Sequence, residues 1–470
     1  MGRVLSTSPN GTSKTTCPRD PKEVVTLRSF TAEASAGLDG PDWLRERRAR
    51  GYEAFVASPL PSESEEVWRY SPIDRLSLDE LAPSAATAPS GAGQAMLADL
   101  AAAIGPVAGA VLVSDGRAGA FASADVAQGG GFDFGRAVDV PSAEAMLGSV
   151  QRGGDALVLL NDAFAPDPVF VDVPEGARLD RPVVVAHWCG GGGVVFPRTC
   201  VRAGVGARVA VVEVFAGAGA DDPALVVPVT ELSAAVGASL SYVSLQILGG
   251  AAWSIARLAA RGAGGSTVRT FTVGLGAAYD RVRADVSVDG RDARSEILSA
   301  YLGVEDQVHD VRTLQDHAAP RTTSELLCQG AVAGRSRSVY SGLIRVHRGA
   351  VRSDARQTNH NLVLDEGAHA DSVPNLDILE NDVTCSHAST VGPVDEDQRY
   401  YIESRGVPPE AAEGLIVRGF FDAIIDRSPV PQATALLRRE VRQRLELALG
   451  GAGDGGHRGG AGTDRVGAGV

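Results

Sequence analysis

The stretch 205–241, VGARVAVVEVFAGAGADDPALVVPVTELSAAVGASLS, begins and ends on the same short phrase, Val-Gly-Ala. Between the two lie short runs rich in Val, with polar residues interspersed. The phrase recurs in variant form as EGARLD (175–180), GGSTVR (264–269), DGRDAR (289–294), AGRSRS (333–338), RGAVRS (348–353) and EGAHAD (366–371). Each time a glycine precedes a small or basic residue that opens a new strand-like run. The spacing is about thirty residues at first and about fifteen to eighteen at the end, as if each early interval held two coils. No helix-length periodic segment intervenes from Asp155 onward, which speaks against alternating βαβ units. Parallel strands with such short connections require a coil that wraps on itself. Val183, Val185, Val209, Val211, Leu240 and Val243 are its expected core ladder. A pair of antiparallel sandwiches fits the same turn spacing, but two-residue Asn-Gly or Asp-Gly hairpin turns are almost absent.

The fold class expected is therefore mainly β: a right-handed parallel β-helix over 151–392, preceded by a helical and mixed region (41–150) and followed by a C-terminal helical domain (393–449). Residues 1–40 read as a disordered extension and 450–470 as a disordered glycine-rich tail. Pro41 stands at a first helical position ahead of Trp43, Leu44, Phe55 and Val56, and the Ala/Gly/Ser/Pro-rich segment 82–94 reads as a linker. Late in the chain, Ala412, Leu415, Ile416, Gly419, Phe420 and Ala423 form one i, i+3, i+4, i+7 stripe, and Leu437, Val441 and Leu445 another.

A net charge of −14 across 470 residues argues against nucleic acid and against an anionic membrane surface, both of which need a basic face. No apolar run reaches spanning length, and five unclustered cysteines suit a reducing compartment; the cytoplasm is expected. Only two lysines occur, Lys14 and Lys22, and neither sits in a P-loop, so any ATP hydrolysis belongs to another protein. HWCGGGGVVF (187–196) offers a glycine run, read here as a turn between coils rather than a phosphate cradle. Six of the eight histidines fall between 309 and 387 without close metal spacing, and each taken singly suits a surface or capping role. TNHNL (358–362) suggests asparagines stacked in a coil turn.

The one constellation with chemical promise is Cys385-x-His387 within ENDVTCSHASTVG (380–392). On a strand the two side chains share a face, yet a zinc site needs further Cys or His ligands and no second arm exists in this chain. Alone it is half a site or ordinary packing. Acids in LDEG and NLDILEND leave a carbohydrate-active β-helix enzyme open.

From Ser353 to Phe421 the order of elements becomes specific: Q-T-N-x-N-L, P-x-L-x-I, D-V-x-C-S-H, T-V-G, D-x-x-x-Y-x-x-S-R-G and A-x-x-x-I-x-x-x-F. This run, with WRYSP (68–72) and SELLCQGAVAGRSRSVYSGLIRV (324–346) upstream, strongly resembles the SufB/SufD family of iron–sulfur cluster assembly proteins. The C-S-H form resembles SufD; the Tyr-Ile-x-Cys and Glu-His-Glu-Ala-Thr elements of SufB-type members do not stand here. The resemblance implies a non-catalytic scaffold that pairs with a SufB paralogue through its last coils, with Asn359, Asn361, Asp382 and Thr390 at that interface. It implies docking of the ATPase SufC through Tyr401, Arg405, Gly406 and Phe420. It places His387, with Cys385 beside it, where iron or a nascent cluster is held transiently, His387 being the candidate metal ligand. No cofactor is expected to stay permanently bound; whether reduced flavin joins the complex is left open, as are self-pairing of the chain alone and a SufB-like identity.

Overall fold

The computed structural model describes residues 27–85, 90–123, 131–217 and 223–450. Two parallel sheets face each other and the chain passes back and forth between them. One sheet runs through strands Gly109–Ser114, Val183–Cys189, Arg208–Gly217, Ser239–Leu248, Thr267–Gly274, Arg294–Gly303, Thr323–Val332, Asp354–Val363 and Thr384–Gly392. The other runs through Val169–Val173, Arg198–Ala203, Val229–Ala234, Ala252–Gly262, Tyr279–Val288, Val308–His317, Arg337–Val346 and His369–Ile378. Both ladders are parallel and in unbroken register, which excludes the sandwich and makes a β-solenoid. A coil takes about thirty residues and contains one strand from each sheet. The early glycine interval is thus one coil rather than two, and the shorter late interval is half of one.

The corners explain the recurring phrase. Gly176, Gly206, Gly237, Gly265 and Gly334 all have φ between +64° and +71°, a left-handed conformation open to glycine without a Cβ clash. The residues after the first four, Ala177, Ala207, Ala238 and Ser266, are buried at the coil edge, so little more than a methyl group fits there. In DGRDAR it is Asp292, not Gly290, that takes the positive φ.

Alternation along each strand divides the core in two. Val183, Val185, Val209, Val211 and Leu240 point between the sheets. Val243 does not: the ladder continues from Val211 to Tyr242, and Val243 lies on the outer face with Val212, Val214 and Phe271. That outer face is covered by helices Gly91–Ile104, Pro409–Ile425 and Thr434–Gly450. Arg427 ties the second of these to the sheet through Glu296 and Glu325, both at 2.8 Å.

Several expected elements differ. Residues 91–94 belong to a helix, capped by Ser90 accepting from Gly93 N, so the linker ends sooner than composition suggested. Within the stretch assigned wholly to strands lies helix Ala156–Phe164, capped by Asp155. Helix Ala32–Ala36, with buried Phe30 just before it, falls in the part read as disordered; residues 1–26 and the tail 451–470 lie outside the described residues. Pro41 is the residue before helix Asp42–Val56 rather than its first turn. Asp115-Gly116 does make a hairpin, joining Gly109–Ser114 to Arg117–Ala118. Trp68 of WRYSP is buried under the Arg281 guanidinium, 3.9 Å from the ring centre. Arg281 donates to Val67 O and Arg312 to Arg69 O, both at 2.6 Å, while buried Asp310 accepts from both arginines. The motif is the clasp that fastens the N-terminal region to the solenoid.

Candidate functional site

The last coil has no successor. Strands His369–Ile378 and Thr384–Gly392 end their sheets, so each leaves one edge of backbone donors and acceptors without a ladder partner. Register places Cys385 over Ala355, His387 over Gln357, Ser389 over Asn359 and Val391 over Asn361. Those four partners are buried between the sheets. The residues above them occupy the same interior positions one coil later, with no further strand among the described residues stacked on top. His387 is consequently exposed, while Cys385 is half-buried against Ile344, Val346, Ala350 and Ala355.

The alternation argument for Cys385 and His387 holds: both stand on the interior side of one strand. Their environments differ. Burial, with a further contribution from the Asp354 carboxylate, pushes the Cys385 thiol above its ordinary range, so the neutral, packing form is favoured in this chain. His387 has no hydrogen-bonding partner in the last coil, and its imidazole is available to an external ligand. No group of three or more His, Cys, Asp or Glu poised to hold a metal exists among the described residues. The described residues of the last coil offer half a ligand set at most.

Asn359 and Asn361 are in mid-strand, not in a turn, and are buried. Asn361 Nδ2 donates to Asn359 Oδ1 at 2.7 Å, Tyr301 donates to Asn361, and Ser372 Oγ donates to Asn359 Oδ1 at 2.9 Å. Ser389 Oγ donates in turn to Ser372 Oγ at 2.7 Å. These asparagines therefore brace the final rung from below and reach an interface only through it. Asp382 is exposed in the preceding turn, its carbonyl accepting from Arg352 N at 2.5 Å. Thr390 is exposed on the opposite side of the strand, in register with His360. Sequence reasoning missed Gln357, buried beneath His387 with neither amide atom hydrogen-bonded. It also missed Leu376, Leu379 and Val391, which leave 43%, 52% and 43% of their surface exposed around the open end. Three such apolar side chains at one sheet end mark a surface suited to another protein.

The second group of expected residues lies beyond the coil. Helix Glu396–Glu403 is capped by Asp395. At its end the Arg405 guanidinium stacks over the exposed Tyr401 ring at 4.6 Å and donates to its hydroxyl at 2.6 Å, and Gly406 follows at φ +87°. Phe420 is separate from this cluster, half-buried edge-on to buried Phe421. The predicted stripe of its helix is shifted in phase: Ala412, Val417, Phe421 and Ile424 are buried, whereas Leu415, Gly419 and Ala423 are exposed. Leu437, Val441 and Leu445 are buried as expected. An open groove of about 440 Å³ lies between the two long helices, lined by Ala411, Gly414, Arg418, Arg442, Leu445 and Leu449. The glycine run 190–192 is a turn between strands Val183–Cys189 and Gly193–Val195, with Gly191 and Gly192 at positive φ. His309 and His317 are buried inside the solenoid rather than at its surface.

Comparison with known proteins places this geometry. Residues 187–420 match the family model for the SUF system FeS cluster assembly SufBD core domain. An iron-sulfur cluster assembly SufBD family protein of Mycobacterium leprae is 38% identical over 192 residues, covering 39% of this chain and 47% of the relative. A Mycobacterium tuberculosis protein of the same description is 36% identical over 190 residues, covering 39% and 48%. Protein ABCI7, chloroplastic, of Arabidopsis thaliana is 28% identical over 307 residues, covering 62% and 63%. The match spans about half the length of the two mycobacterial relatives. With its solenoid, its terminal motif and this core domain over 187–420, the chain belongs to the SufBD family of the SUF iron–sulfur cluster assembly system.

Proposed function

We propose that this chain is a SufD-like, non-catalytic scaffold subunit that pairs end to end with a SufB paralogue and helps hold iron or a nascent cluster at the junction. The observation that carries this reading is the uncapped last coil, which leaves His387 exposed in an interior position with an incomplete ligand set. A neutral imidazole is a competent iron ligand, and a site divided between two chains suits assembly and release better than storage. Iron and the cluster are cargo in this account, and no permanently bound cofactor is invoked. Reduced flavin remains outside the proposal because no residue pattern recommends a site for it.

The edges of strands His369–Ile378 and Thr384–Gly392 are the surface for SufB, with Leu376, Leu379 and Val391 as its apolar part and Asp382 and Thr390 at its rim. Cys385 packs and His387 ligates. The C-terminal helices, through Tyr401 with Arg405 and through the groove beside exposed Leu415, are the surface for the ATPase SufC. We place the complex in the cytoplasm; four free cysteines among the described residues agree with a reducing compartment. No helix among the described residues is long and apolar enough to cross a membrane. His387→Ala is expected to leave folding and complex formation intact and to lower the cluster content of the co-purified complex at least tenfold. Unchanged cluster content refutes the assignment. A polysaccharide lyase reading predicts turnover of a polyuronate by the isolated chain, and none is expected.

A further inference from the structure

Midway along the solenoid a set of polar side chains enters the space between the sheets. Ser244, Thr272 and Ser299 stack on successive rungs of one sheet, with Thr272 Oγ1 donating to Ser299 Oγ at 3.1 Å. Opposite them, Ser254, Asp280 and His309 stack on successive rungs of the other. Between lies a cavity of about 30 Å³ whose lining mixes Ser244, Thr272, Asp280 and Ser299 with apolar side chains such as Phe215 and Val282. That is room for a water or one small ion.

Two features make it more than a packing gap. His309 is 1% exposed, stacked on Tyr301, and neither ring nitrogen has a hydrogen-bond partner among the described residues. Asp280 is a buried carboxylate with no arginine or lysine in contact among the described residues; its close neighbour is the His309 imidazole, Nδ1 lying 3.4 Å from Oδ2 without hydrogen-bond geometry. Two ligands each about 2.1 Å from a metal at the tetrahedral angle lie about 3.4 Å apart. Both atoms converge on Gly274 of the facing sheet, where any Cβ would overlap the carboxylate.

We propose that Asp280 Oδ2 and His309 Nδ1 are the protein ligands of a buried divalent first-row metal ion, its shell completed by the cavity hydroxyls or water. An imidazole with a carboxylate and neutral oxygens is a donor set for iron(II) or zinc. The site is separate from the terminal rung and independent of the role given to His387.

The test uses the full chain expressed in cells supplied with zinc or cobalt, desalted through a chelating buffer, and measured for bound metal. Wild type and His387→Ala are expected to retain about one ion per chain. Asp280→Asn, which keeps shape while removing charge, and Gly274→Ala are expected to retain at least tenfold less. A metal-free wild type overturns the proposal, as does undiminished metal in Asp280→Asn. Should both variants misfold, anomalous diffraction from wild-type crystals decides alone: a peak between Asp280 and His309 supports the site, and a peak lacking anomalous signal, a water, refutes it.

Discussion

Gly330 lies on the interior rung directly above Tyr301, and a Cβ there would overlap the tyrosine ring. Gly330→Ala therefore forces Tyr301 off its hydrogen bond to Asn361, and a loss of about 1–3 kcal/mol in urea unfolding is expected. His317 makes a second test. Its ring nitrogens bond Thr322 Oγ1 and Ser324 Oγ, both at 2.7 Å, and burial pushes its pKa down to about 4 against the opposing pull of Asp316 and Asp354. The unfolded chain takes up the proton near pH 6.5 and the folded chain does not. This contribution to stability is thus whole above pH 6.5 and is lost as the pH falls toward 4, by roughly 3 kcal/mol. His317→Gln is expected to flatten the slope of the urea midpoint over that interval; an unchanged slope would contradict the assignment. At this scale the sequence showed Cys385 and His387 on one face because strand alternation is local. It could not show Gln357 beneath His387, since that neighbour comes from register thirty residues away.

Adjacent apolar residues defeat phase. Leu415-Ile416-Val417 and Phe420-Phe421 fit two helical stripes about 100° apart, and only docking onto the sheet selects the one through Val417 and Phe421. Phe421→Ala should accordingly cost about 3–5 kcal/mol, and Leu415→Ala should stay within about 0.5 kcal/mol; thermal or urea melts of the pair distinguish the two phases. The helix Ala156–Phe164 was hidden for a related reason. ALVLLNDAF is apolar nearly throughout, and short apolar runs do not separate buried helix from buried strand. Its N-cap was present in the sequence, for Asp155 accepts from Leu157 N and Val158 N. The strands and many of their corners were legible because corners such as those at Gly176, Gly206, Gly237 and Gly265 pair a left-handed glycine with a small buried residue. The number of strands per coil was not, since turns are shared equally by both sheets.

The whole molecule is asymmetric along its axis. Helices and the WRYSP clasp cover the early and middle coils, while the last coil ends in two unpaired strand edges with apolar side chains around His387. Placing a charge there, as in Leu376→Arg, is expected to abolish pairing with the paralogue by at least tenfold in affinity while leaving the melting temperature of the isolated chain nearly unchanged. The central claim is that this open end supplies half of a site completed by another chain. Its most direct measurement is the iron and sulfide content, with Mössbauer spectra, of the complex purified without oxygen from cells co-expressing this chain, its paralogue and the ATPase. The account predicts intact complexes from both wild type and His387→Ala, with cluster signal at least tenfold lower in the variant; an equal cluster signal in the two complexes would contradict it.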